Sequence, residues 1–214
     1  MESRLQDIRS TRNPKARIKI MQGHFATTNS HVNVYIDMST VKCRHNNARE
    51  TAKTLAERYV NTTPIDTIIC LDGTEVIAAF MAEILADNSM LSINAGKNIS
   101  VVTPEYGTGG VIIFRDNNQR MVKNMQVLLL CASTTTGKTI AQAVECINYY
   151  GGSVCGIAAI FSAVKESHGL EVNAIFSGED LPVKYEAFAP WDCPYCKQGM
   201  HVEAVINGFG YSKI

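Results

Sequence analysis

Runs that are apolar at nearly every position, alternating with stretches of helical spacing, constrain this chain more than any other feature. Residues 65–71 (IDTIICL), 126–131 (QVLLLC), 153–161 (SVCGIAAIF) and 172–176 (VNAIF) read as strands. A strand with one wet face alternates apolar and polar residues, whereas one covered on both faces does not. Between them, 75–86 (EVIAAFMAEILA) and 138–150 (KTIAQAVECINYY) read as helices, the second closed by Gly151 and Gly152. This alternation predicts an α/β fold: a mainly parallel twisted sheet flanked by helices, with ligands at the carboxyl ends of the strands.

The remaining segments are accessory to that core. Residues 1–23 read as a basic, weakly patterned leader, and 32–37 alternate like a half-buried strand. Residues 46–60 place Ala48, Ala52, Leu55, Ala56 and Tyr59 at helical spacings, with Pro64 just beyond. Strands are expected at 99–103 and 111–114 around PEYGTGG, and composition changes after Pro190. A chain of 214 residues then divides as one domain: an N-terminal segment 1–45, a core 46–189 and a C-terminal flap 190–214.

Lys+Arg and Asp+Glu both total 20, so nothing in the charge balance calls for nucleic acid or an anionic membrane. A small-molecule ligand suits it better. The charged N-terminus holds no apolar run of signal-peptide length, which points to the cytoplasm. Seven cysteines, with Cys70, Cys131, Cys146 and Cys155 inside apolar runs, give no disulfide framework. The 75–86 helix has too few polar positions to face water on any side, so a homodimer is expected.

The densest chemistry lies at 126–147, QVLLLCASTTTGKTIAQAVECI. A buried strand, a hydroxyl-rich turn and a helix beginning near Gly137 converge there. Such a turn aims backbone N–H groups and hydroxyls at one point over a helix N-terminus and cradles phosphate. Ser133, Thr134, Thr135, Thr136, Gly137, Lys138 and Thr139 would form it. The plainer alternative is that one threonine caps the helix and the others are solvated. The stretch from Ala132 to Thr139 also nearly spells a nucleotide-hydrolysing P-loop, but the strand SVCGIAAIFSAV ends without the Mg²⁺-holding carboxylate that motif needs.

Residues 127–139 resemble the signature of the type I phosphoribosyltransferases: an apolar strand, two adjacent acidic residues, a Thr-rich turn with glycine, and a helix. Residues 24–31 (HFATTNSH), leading to Tyr35-Ile36-Asp37, resemble the N-terminal hood of the orotate phosphoribosyltransferases in that family. Residues 192–199 (DCPYCKQG) resemble the tail of some of those enzymes. The resemblance covers most of 24–214. It implies a small hood built from the N-terminal segment and C-terminal tail, with Phe25, Thr27, Ser30 and Tyr35 near the base. It also implies a ligand containing ribose 5-phosphate, either phosphoribosyl pyrophosphate with Mg²⁺ or a nucleoside monophosphate. The implied reaction is phosphoribosyl transfer to a nucleobase.

The sequence departs from that pattern where the sugar and pyrophosphate would be held. Cys131 and Ala132 stand at the positions of the acidic pair that grips the ribose hydroxyls. Two lost charge-assisted hydrogen bonds weaken binding by about 10²–10⁴. The pyrophosphate-loop position reads Asp72-Gly73-Thr74-Glu75, whose carboxylates would each cost ~1–4 kcal/mol beside a phosphate charge about 4 Å away. The alternative for this stretch is a helix capping arrangement, with Asp72 at the cap and Glu75 at the third position. In place of a basic lid stand Pro104, Glu105 and a glycine-rich tip, with Lys97 and Arg115 the nearest cations. Two functions from different classes thus remain open: a transferase, and a non-catalytic nucleotide or phosphoribosyl pyrophosphate sensor of the same fold.

Cys193 and Cys196, with His201 five residues on, have the spacing of half a zinc site. A closed site needs four ligands and no second CxxC exists, so zinc is not expected unless Cys43 or a second subunit completes it. His24 and His31 read as hood residues by resemblance, or equally as surface histidines.

Overall fold

The computed structural model describes residues 2–88 and 92–214. Met1, at the start of the expected hood segment, and residues 89–91, within the expected core, lie outside the described residues. In chain order the strands are β1 Gln6–Arg9, β2 Arg17–Ala26, β3 His31–Asp37, β4 Thr67–Cys70, β5 Ser100–Val102, β6 Glu105–Tyr106 and β7 Ile112–Ile113. They continue as β8 Gln126–Thr134, β9 Ser153–Ser162, β10 Glu166–Ser167, β11 Leu170–Ser177, β12 Ala187–Phe188, β13 Ala204–Asn207 and β14 Gly210–Lys213. The helices are α1 Ser39–Cys43, α2 His45–Ala56, α3 Glu75–Ala86, α4 Asp116–Gln119, α5 Lys138–Tyr149 and α6 Pro194–Lys197.

The core sheet runs β10-β11-β9-β8-β4-β5, parallel throughout except for the β10 edge. Its strands read as continuously apolar because both faces are covered. Ile68, Cys70, Leu128, Leu130 and Ala132 pack with α2 and α3, while Ile69, Leu71, Leu129 and Cys131 pack with α5 on the opposite side. Strand order reverses between β4 and β8, because the chain leaves β4 through α3 toward β5 and then returns to the other side of β4. The carboxyl ends of β4 and β8 therefore open a crevice at this switch point.

The second sheet runs β12-β3-β2-β13-β14, with β1 on β2, and joins the two ends of the chain. About half of the expected leader 1–23 is thus sheet. Arg17, Ile18, Lys19 and Ile20 alternate as a strand with one wet face should, and Ile18 and Ile20 are fully buried against the core. The other face, with Met21, Phe25, Val32 and Tyr35, closes on Ala204 and Ile206 from the tail.

α3 does not face water where its sequence is most apolar: α2 lies over it, with His45 edge-on to Phe80 at 5.3 Å, and Val76 remains 44% exposed. Part of the apolar circumference that suggested a partner is therefore covered within the chain. Among the described residues no helix is long and apolar enough to cross a membrane.

Candidate functional site

A cleft of about 170 Å³ opens at the switch point. The hydroxyl-rich turn forms one wall, since Ser133, Thr134, Thr135, Thr136, Gly137, Lys138 and Thr139 all line it. Opposite stand the β2–β3 turn with Thr27 and Ser30, then Tyr35, and the tip of the β13–β14 hairpin with Asn207 and Gly208. Asp72 projects from the end of β4.

β8 extends three residues beyond its expected end, to Thr134. The cap of α5 is Gly137, in the left-handed conformation at φ 76° and ψ 0°, with no side-chain cap hydrogen bond. No threonine is therefore spent on capping. Gly137, Lys138 and Thr139, which open α5, line the cleft beside the hydroxyls, and the first N–H groups of a helix have no partner inside it. This arrangement suits an anion, because N–H dipoles, hydroxyls and the positive end of the helix converge.

Cys131 and Ala132 are placed differently from a sugar-gripping pair. Both are buried and neither lines the cleft. Cys131 packs on the α5 face with its thiol 3.6 Å from the Ala158 carbonyl, and Ala132 packs on the α2–α3 face. Burial, followed by the nearby Asp72 charge, pushes the Cys131 thiol up to about 12. Phe25 is also buried, edge-on to Tyr35 at 6.2 Å in the hood core, and so lies behind the cleft wall. Thr27 and Ser30 shape the turn itself: Thr27 Oγ1 donates to the Ser30 carbonyl at 2.9 Å and accepts from its N–H at 2.9 Å.

The capping arrangement expected at residues 72–75 does not form. α3 starts at Glu75 with Thr74 as its cap, and no side chain caps it. Thr74 Oγ1 instead donates to the Leu71 carbonyl at 3.0 Å, and Glu75 accepts from Thr103 Oγ1 at 3.0 Å. Asp72 has a positive φ of 58°, followed by Gly73 at 76°, so the turn bends sharply and carries the Asp72 carboxyl into the cleft. Burial raises the Asp72 carboxyl, Lys42 opposes this, and Glu75 adds to it.

Lys42 was not marked by any sequence pattern. Its side chain is buried, and burial pushes its amine down against the opposing pull of Asp72. The amine donates to the Asp72 carbonyl at 2.8 Å and to the Gly208 carbonyl, and lies 5.1 Å from the centre of the Phe209 ring. The hairpin tip is thereby fastened over the Asp72–Gly73 turn. A Cβ on Gly208 would come within 2.8 Å of Asp72 Cβ, so only glycine allows this approach. Lys42→Met keeps the stem but removes both bonds, and should cost about 1–3 kcal/mol and expose the hairpin tip. Thermal unfolding together with limited proteolysis reads both effects; an unchanged cleavage pattern would mean that Lys42 does not hold the tip.

The cations near the expected lid are already engaged. Arg115 donates to Glu105 at 2.9 and 2.6 Å, and Lys97 to Asp66 at 2.9 Å. β9 ends at Ser162, so no carboxylate stands where a P-loop reading needs one. His24, His31, Cys193 and Cys196 come together on the far side of the β2–β3 turn.

No family model matches the sequence. The chain is 24% identical over 190 residues to the orotate phosphoribosyltransferase of Desulforamulus reducens, covering 85% of this chain and 86% of that one. A shorter stretch of 75 residues is 31% identical to the enzyme of the same name from Pelotomaculum thermopropionicum, covering 35% of this chain and 38% of that one. Among solved structures, a phosphoribosyltransferase from Corynebacterium diphtheriae superposes with a TM-score of 0.54 at 19% identity, over 77% of this chain and 91% of that one. An orotate phosphoribosyltransferase of Mycobacterium tuberculosis, in complex with 5-phospho-α-D-ribosyl 1-diphosphate, gives a TM-score of 0.51 at 18% identity over 69% and 82%. The fold is that of the type I phosphoribosyltransferases. On that fold, this chain carries a hydroxyl-rich turn after β8, Cys131 and Ala132 within β8, and Asp72 just past β4.

Proposed function

We propose that this protein binds a ligand bearing a 5′-phosphorylated ribose, a nucleoside 5′-monophosphate or ribose 5-phosphate, with the phosphate on residues 133–139. The reading rests on one observation above all: the α5 N-terminus is capped by a left-handed Gly137 with no side-chain cap, and residues 133–139 all line the cleft. The β2–β3 turn and Tyr35 then form the wall against which a base or other substituent would rest.

Turnover of phosphoribosyl pyrophosphate is the chemistry suggested by the relatives' names, and the turn and hood favour it as a second reading. Two features weigh toward binding without transfer. The hairpin tip and the Asp72 carboxyl stand at the turn that the resemblance assigns to pyrophosphate. A Mg²⁺-bound pyrophosphate also finds poor support: Cys131 and Ala132 bring no carboxylate, and among the described residues that line the cleft Asp72 is the one carboxylate, with the Lys42 charge acting on it. The residues present do not fit that group.

Calorimetric titration separates the readings. Ribose 5-phosphate and nucleoside monophosphates are expected to bind, with deoxyribose and ribose forms alike because Cys131 and Ala132 bring no carboxylate to the 2′- and 3′-hydroxyls. Phosphoribosyl pyrophosphate with Mg²⁺ should bind no tighter and should release no pyrophosphate when a nucleobase is added. Pyrophosphate release would return the transferase reading to first place.

A further inference from the structure

We propose that His24, His31, Cys193 and Cys196 form a closed Zn²⁺ site that fastens the C-terminal tail to the N-terminal sheet. Their ligating atoms all lie within 4.8 Å of one another. His24 Nε2 is 3.0 Å from His31 Nδ1, 3.4 Å from Cys193 Sγ and 3.7 Å from Cys196 Sγ, while Cys196 Sγ is 3.3 Å from His31 Nδ1. A tetrahedron built on ordinary zinc bond lengths has edges of about 3.3 Å between nitrogens and about 3.6 Å between nitrogen and sulfur. The four atoms already stand near those corners.

Hydrogen bonding alone does not account for the cluster. His24 Nδ1 lies 3.0 Å from the Met200 carbonyl, which can only accept, so Nδ1 carries the proton of the neutral ring. Nε2 then presents a lone pair to three neighbours at once. That is the tautomer expected of a metal-bound histidine, whose other ring nitrogen donates to a carbonyl or carboxylate. Two thiols that lose their protons to solvent on binding, with two neutral imidazoles, balance the charge of one divalent ion. A neutral site suits a place where His24 and Cys193 are 1% and 0% exposed. Mixed thiolate and imidazole ligands at tetrahedral corners select zinc among common divalent ions.

Local structure aims each ligand. The register shift between Gln22 and Phe25 places Gly23 and His24 in a bulge on β2, which re-aims the His24 ring, and His31 opens β3 across the turn. Cys193 caps the single-turn α6 that brings Cys196 back beside it. The CxxC half of the site is visible in the sequence, and the other half comes from a segment more than 160 residues away. His201, five residues past the CxxC, and Cys43, which the sequence offered as completing ligands, are not in the cluster. Both segments leading from the site reach the cleft, through the turn with Thr27 and Ser30 and through the hairpin with Asn207 and Gly208.

The test is metal content of the full chain, purified under reducing conditions from zinc-supplemented cells and measured by plasma mass spectrometry. About one zinc per chain is expected, falling at least tenfold in Cys196→Ser, a change at an exposed position that should leave the fold intact by circular dichroism. Cobalt loaded in place of zinc should give the intense visible bands of tetrahedral Co²⁺ with thiolate charge transfer, weakened in His31→Ala. A reduced, folded protein holding less than about a tenth of an equivalent of zinc would overturn the proposal. So would metal content unchanged in both variants, or Cys193 and Cys196 isolated as a disulfide that takes up no metal after reduction.

Discussion

Gly137→Val is expected to lower affinity for ribose 5-phosphate by about 10²-fold or more while leaving the protein folded. Gly137 caps α5 at φ 76°, and a β-branched residue there is strained by about 1–3 kcal/mol. Crowding is not the cause, because an added Cβ would meet only Ser167 Oγ, at 3.4 Å. The strain relaxes if the turn swings toward an ordinary φ, and that movement takes the first N–H groups of α5 off their common aim. Two charge-assisted bonds at about 1.5–3 kcal/mol each correspond to about 10²–10⁴ in affinity. Gly137→Asn is the control, since asparagine tolerates the left-handed region and should keep most of the binding. Calorimetry on the two variants decides: a valine variant that binds like the wild type places the anion elsewhere.

Replacing Cys131 and Ala132 together by aspartate, as the family signature would suggest, should destabilise the protein instead of restoring sugar binding. Both positions are buried on opposite faces of the core sheet, and Cys131 faces a carbonyl, which offers a carboxylate no donor. An uncompensated buried charge costs about 3–5 kcal/mol, and each kcal/mol lowers the melting temperature of a chain this size by about 2–4 °C. A drop of at least ~10 °C near neutral pH is expected. Burial raises the folded-state pKa of such an aspartate above its unfolded value near 3.9. The variant therefore regains stability relative to the wild type as pH falls through the raised pKa toward about 3.9, below which both states hold the proton. Melting curves at pH 7.5 and pH 4.5 measure this. A double variant that melts with the wild type and gains Mg²⁺-dependent affinity for phosphoribosyl pyrophosphate would contradict the placement of these side chains.

The core was legible in the sequence because burial on both faces leaves a plain mark: β4, β8, β9 and β11 fall on the four apolar runs, and α3 begins and ends where its apolar pattern does. The second sheet was less legible. The Arg-Ile-Lys-Ile alternation of β2 is a strand signal that the basic composition of the leader obscured, and the pairing of β13 with β2 joins residues nearly 180 positions apart. The hydroxyl-rich turn was readable as a local motif, since strand, turn and helix are contiguous. Lys42 and the hairpin tip over Asp72 were not, because their meeting depends on the long-range closure of the tail. The same closure explains why half of the His–Cys cluster looked like an isolated CxxC. The 72–75 turn reads as a cap by spacing alone, but Thr74 turns its hydroxyl back to the Leu71 carbonyl and the helix starts later.

Whether a phosphate sits on the β8–α5 turn is tested most directly by amide NMR shifts on titration of the isotopically labelled chain with ribose 5-phosphate, and with ribose as the uncharged control. The largest shifts are expected at the amides of residues 136–140, moving downfield as they take up the charged acceptor, with ribose alone leaving them in place. Amides of that turn that stay still while others elsewhere respond, or that respond equally to ribose, would contradict the assignment of the site.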